Sequence, residues 1–81
     1  MRVTLKAQNE MAALEPPADI DDVGEILGGL TAADWACRLF SATTGEPMHV
    51  FKPMTAFGLL YVKVIVRGDC VVVSFHEEVE P

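Results

Sequence analysis

Hydrophobic and polar positions follow a helical pattern up to Gly29 and a strand-like pattern after Asp34. Thr4 is placed to cap a helix over Leu5 to Leu14, with Leu5, Met11 and Leu14 on its apolar side. Glu15-Pro16-Pro17-Ala18 ends it, because two prolines cannot continue a helix. Asp19 followed by Asp22 predicts the start of a second helix, from Ile20 to about Leu27, with Ile20, Val23 and Leu27 inward. The early acids also suit the positive end of the helix dipole. Gly28-Gly29 stops this helix, and Thr31-Ala32-Ala33-Asp34 reads as a further capped turn. Strand patterns then cover Trp35 to Ser41 and, after a turn at Thr43-Thr44-Gly45, Met48 to Lys52, where Pro53 intervenes. A link from Met54 to Gly58 leads into the last and strongest pattern.

Leu59 to Arg67 and Cys70 to Glu78 are rich in β-branched and aromatic residues, and the Gly68-Asp69 between them is a two-residue hairpin loop. If Arg67 and Cys70 close that loop, Tyr61 faces His76, Lys63 faces Ser74 and Ile65 faces Val72. Strand alternation then puts Tyr61, Lys63, Arg67, Ser74 and His76 on one surface. Leu60, Val62, Val64 and Val66 meet Val71, Val73 and Phe75 on the other, as a core. The order of elements predicts an α+β domain, with two N-terminal helices on one face of a four-stranded antiparallel sheet.

At 81 residues the chain has the size of one domain, and 51% hydrophobic residues suffice for a core without disulfides. Lys63 and Arg67 interrupt the longest apolar run, so no segment approaches a membrane span. The opening Met1-Arg2-Val3-Thr4-Leu5-Lys6 lacks a signal-peptide pattern. The expectation is a cytoplasmic protein, with Cys37 and Cys70 as reduced thiols.

The net charge of −6 is unevenly spread. Residues 1–35 carry Arg2 and Lys6 against seven acids, whereas residues 36–76 carry Arg38, Lys52, Lys63 and Arg67 against only Glu46 and Asp69. Glu77, Glu78 and Glu80 follow. A basic sheet between acidic flanks is weak electrostatic footing for general nucleic-acid binding, but leaves room for a local phosphate site.

Directly opposed residues on an antiparallel pair have Cβ atoms roughly 4.5–5.5 Å apart, so Tyr61 and His76 would be neighbours. Cleavage of RNA by its own 2′-hydroxyl needs a base at that oxygen, an acid at the departing 5′-oxygen, and cations around the phosphorus. Histidine is the residue type suited to such a base, which makes His76 the candidate. Tyr61 can exchange a hydrogen bond or stack on a base, while Lys63 and Arg38 can hold phosphate. Lys52, Arg67 and His49 are candidates for further RNA contacts. The plain alternative is a cross-strand Tyr61–His76 pair on a strand blunted by Lys63 and Arg67. A zinc site from Cys37, His49, Cys70 and His76 fails on distance, because six strand steps separate Cys70 from His76 by about 20 Å. Cys37 and Cys70 suit small core positions.

Several stretches, taken in order, resemble the MqsR family of bacterial type II toxin–antitoxin systems. They are Leu30-Thr31, Asp34-Trp35, Val50-Phe51-Lys52-Pro53, Leu60-Tyr61-Val62-Lys63 and Val73-Ser74-Phe75, with weaker similarity at Arg2-Val3-Thr4. The resemblance implies a RelE-like ribonuclease fold and cleavage of messenger RNA without metal or other cofactor. It also implies growth inhibition, and silencing by a cognate antitoxin with a zinc-binding domain and a helix-turn-helix domain. The family's third-strand tyrosine falls on Tyr61, and its fourth-strand basic residue on His76. Its first-strand lysine falls on Cys37, beside Arg38, and its second-strand glutamine falls near Met48 or His49. The opening helix that many members carry is missing. These departures keep open a second class, a non-catalytic interaction module, a decayed toxin that binds an antitoxin or itself as a homodimer.

Overall fold

The computed structural model describes residues 1–78. A two-residue strand β1 (Arg2–Val3) leads into helix α1 (Leu5–Ala12) and helix α2 (Ile20–Gly28). A short 3-10 turn (Ala32–Asp34) precedes β2 (Trp35–Phe40), β3 (Pro47–Phe51), β4 (Met54–Thr55), β5 (Gly58–Arg67) and β6 (Asp69–Glu77). The sheet runs in the order β1-β6-β5-β3-β2, and β4 pairs with β5. The expected four-stranded antiparallel sheet is therefore corrected, because β1 lies parallel to β6 and makes the sheet mixed. Two residues are too few to show any alternation, so β1 and β4 leave no pattern in the sequence.

The caps are those their residue types dictate. Thr4 accepts from the Ala7 amide, and Asp19 and Asp22 form a reciprocal capping box. Helix α1 ends at Ala12, two residues before the expected Leu14, yet Leu14 is buried all the same. Ala7, Met11, Leu14, Ala18 and Val23 form one apolar cluster with Leu60, Val62, Val64, Val72 and Phe75. Each of these is at most 7% exposed, so the cluster is the centre of the molecule.

The hairpin register is as expected at one end and slips at the other. Leu60, Tyr61, Val62 and Lys63 face Glu77, His76, Phe75 and Ser74, but Val64 faces Val72 and Ile65 faces Val71. Arg67 pairs with Asp69, not with Cys70, and Gly68 alone turns the chain with φ of +69°. A left-handed φ is free of steric cost only for glycine, which allows so tight a turn. The residue saved at the turn returns as a bulge at Val73. A bulge reverses the inside–outside sense of everything beyond it. Val72 thereby enters the core at 0% exposure, and Val71 and Val73 are only half-buried, contrary to the core face read from alternation.

The outer edge of β6 is covered by the first residues of the chain. Thr4 donates from its amide to the Val72 carbonyl at 3.0 Å and from its hydroxyl to the Val73 carbonyl at 3.4 Å. The Phe75 amide donates to Glu10 Oε1 at 3.1 Å. β2, at the opposite side of the sheet, has no such cover among the described residues.

Candidate functional site

Two rows of side chains cross the sheet side by side. Cys37, Val50, Lys63 and Ser74 occupy one row, while Arg38, His49 and Val64 occupy the next. Val64 belongs to the apolar core, so Lys63 and Ser74 project from the face away from it, together with Tyr61 and His76. This outer face is not wholly wet, since Val50 and Ser74 are 0% and 2% exposed.

Tyr61 and His76 are stacked on it, with ring centroids 4.9 Å apart and planes 11° from parallel. Nδ1 of His76 lies 2.8 Å from the Glu77 carbonyl. A carbonyl can only accept, so Nδ1 carries a proton, and in the neutral ring Nε2 is then the free acceptor. Lys63 Nζ stands 6.0 Å from the centre of the Tyr61 ring, at the limit of a cation–π contact. Lys63 has no ion-pair partner among the described residues.

The other candidate cations are engaged or directed elsewhere. Arg67 donates from Nε and from Nη2 to the two carboxylate oxygens of Glu46, both at 2.9 Å. Lys52 Nζ lies 3.4 Å from Glu78 Oε1, and Glu78 Oε2 is enclosed with no hydrogen bond among the described residues. Arg38 shares the row of Val64, on the side of the apolar cluster, and its guanidinium lies 5.4 Å from the Phe40 ring. His49 shares that row and accepts from Trp35 Nε1 at 3.3 Å. The register thus gathers Tyr61, His76 and Lys63 and sets Arg38 and His49 apart from them. Cys37 lies in the Lys63 row, and Met48 pairs with Leu39.

Two residues that sequence reasoning passed over reach this region. Lys6 Nζ donates to Ser74 Oγ at 2.8 Å and pairs with Glu10 at 3.1 Å. The four-residue spacing of Lys6 and Glu10 signals a helical ion pair but not what it docks against. His76 also borders an open cavity of about 500 Å³, lined by Glu10, Ala13, Leu14, Glu15, Phe57 and Glu77. Three carboxylates around one imidazole repel a phosphate and attract a cation.

Two groups outside the site depart from their ordinary titration. The amino-terminal ammonium of Met1, 2.9 Å from Asp69, holds that carboxyl below its usual value, aided by the Cys70 amide. Burial pushes the Cys70 thiol up, which makes it a weak nucleophile near neutrality. Among the described residues no group of three or more His, Cys, Asp or Glu is arranged to hold a metal ion. No helix among them is long and apolar enough to cross a membrane. No known protein family, curated protein or solved structure matches the chain.

Proposed function

We propose that the protein is the toxin of a type II toxin–antitoxin pair, a cytoplasmic, metal-independent endoribonuclease of the MqsR type acting on messenger RNA. The observation that carries this reading is the Tyr61–His76 stack beside Lys63 on the outer face of the sheet. The joining of α1, α2 and sheet residues in a single core supports a RelE-like arrangement with both helices on the inner face.

In this reading Nε2 of His76 takes the proton of the ribose 2′-hydroxyl, whose oxygen attacks phosphorus. Lys63 balances the charge gathered on the phosphoryl oxygens, and the Tyr61 phenol protonates the departing 5′-oxygen. The products are a 2′,3′-cyclic phosphate and a free 5′-hydroxyl, with no metal in any step. Positioned proton transfer contributes about 10²–10⁴-fold. Purified protein should cleave single-stranded RNA in EDTA, and its expression without the antitoxin should stop growth. His76→Ala should lower cleavage about 10²-fold or more while the protein stays folded. Undiminished cleavage by folded His76→Ala and Tyr61→Phe proteins would remove both assigned roles.

A second reading is a non-catalytic module that binds an antitoxin or a second copy of itself. The ion pairs of Arg67 and Lys52 and the carboxylates around His76 favour it, since they leave little positive charge for RNA. Tight antitoxin binding by a protein that neither cuts RNA nor slows growth would select it. A gene for a zinc-binding, helix-turn-helix protein beside this one would identify the partner under either reading.

A further inference from the structure

β2 is the open edge of the sheet, and five of its six residues are exposed. Its free hydrogen-bonding groups can be assigned from the β3 pairing. The Ser41 amide donates inward to the Glu46 carbonyl at 2.9 Å, and the register Phe40↔Pro47, Leu39↔Met48, Arg38↔His49 and Cys37↔Val50 is unbroken from there. Inward and outward residues alternate, so Cys37 and Leu39 bond to β3 while the amides and carbonyls of Arg38 and Phe40 point away from the sheet. Phe40 agrees with this independently, because its partner Pro47 has no N–H to give. Only near Ala36, where the register shifts between Trp35 and Cys37, is the edge irregular. An edge with regular free amides and exposed apolar side chains, Leu39 at 40% and Phe40 at 62%, is a template for another strand.

We propose that β2 pairs antiparallel with β2 of a second copy, about a two-fold axis at Leu39. Two-fold symmetry between identical strands requires that a residue face itself or that pairs be exchanged within the same ladder, and four registers are compatible with the outward groups. Centring on Arg38 sets two guanidinium groups face to face. Centring on Cys37 draws the irregular Ala36 into the ladder. Centring on Phe40 sets Arg38 against Ala42, in the turn beyond the strand, and leaves Phe40 as the one regular hydrogen-bonded pair. Centring on Leu39 avoids all three: Arg38 of each copy exchanges both backbone hydrogen bonds with Phe40 of the other, and Cys37 faces Ser41. The strand's one charge then lies beside the partner's exposed ring, a cation–π pairing like the one Arg38 makes at 5.4 Å within its own chain. Leu39 meets Leu39 on the outer face. This match of the strand to itself is why a second copy, rather than an unrelated extended segment, is the occupant. The sheet continues across the axis and turns both Tyr61–His76 pairs to the same side. The inference stands apart from RNA cleavage.

Two variants test it. Phe40→Pro removes only an outward N–H, which an edge strand tolerates, so β2–β3 pairing survives. The wild-type chain should sediment as a dimer in the micromolar to high-micromolar range, more firmly as salt screens the −6 charge of each copy. Phe40→Pro should be a monomer with unchanged circular dichroism. Leu39→Cys, with Cys37→Ser and Cys70→Ser, places thiols on a non-hydrogen-bonded pair with Cα atoms about 4.5 Å apart, within disulfide reach. It should cross-link rapidly under copper(II)-phenanthroline, two copper(II) ions taking one electron each while the two thiol protons pass to the buffer. A monomeric wild type, a dimer that persists in Phe40→Pro, or a wild-type dimer cross-linked through Cys37 overturns the proposal. So does a chain that pairs through β2 only with an added antitoxin.

Discussion

Ser74 shows how tightly the candidate site is tied to the packing of the molecule. Its hydroxyl, 2% exposed, accepts from Lys6, and the next amide, that of Phe75, donates to Glu10. Phe75 itself is wholly buried, so Phe75→Ala should cost about 3–5 kcal/mol in urea unfolding and dissolve the site with the core. Asp69 offers a finer probe. Its carboxyl is held below the ordinary carboxylate range by the Met1 ammonium, so the ionised form is favoured by folding. That contribution is present above the unfolded value and vanishes as pH falls through the lower folded value. Asp69→Asn should therefore be less stable than wild type at pH 7, and the two unfolding curves should converge on acidification below about pH 4. A gap that persists or widens in acid would mean that the Asp69 carboxylate is not what the variant lost.

The elements differ in how openly the chain declares them. Capping residues are chemical instructions, and Thr4, Asp19 and Asp22 act as their types require. Tyr61 faces His76 as expected although the Arg67–Cys70 closure that implies this pairing does not form, because the bulge at Val73 restores the residue saved at the turn. The bulge at Val73 was not legible, since Cys70-Val71-Val72-Val73 offers an apolar side chain in either register and the pattern cannot say which faces inward. The turn decides, and it depends on a left-handed Gly68 that a Gly-Asp dipeptide permits without requiring. Gly68→Ala should lower stability by about 1–2 kcal/mol, because the left-handed conformation is costly for any residue with a Cβ. Amide exchange near Val71 to Val73 should rise with it. Equal stability of the two proteins would mean that the turn had relaxed to the two-residue form.

For the whole molecule, the ion pairs consume cations mostly within the segments the chain already defines. Arg67 pairs with Glu46 inside the basic segment and Lys6 with Glu10 inside the acidic one, while Lys52 reaches Glu78 of the acidic tail. Composition could announce an acidic flank and a basic middle, but only folding decides which acids reach which cations. The Tyr61–His76 face therefore meets RNA with little net attraction, and carboxylates line the cavity beside it. Glu10 caps a strand amide and is needed for the fold, whereas Glu15 and Glu77 are exposed and make no ion pair among the described residues. Under the proposed function, Glu15→Gln with Glu77→Gln should tighten binding of a short single-stranded RNA at low salt. The gain should shrink as ionic strength rises and the Debye length contracts from about 30 Å at 0.01 M to about 8 Å at 0.15 M. Fluorescence anisotropy and cleavage assays across that range separate the two readings: a ribonuclease gains affinity and rate together, while an interaction module gains no cleavage.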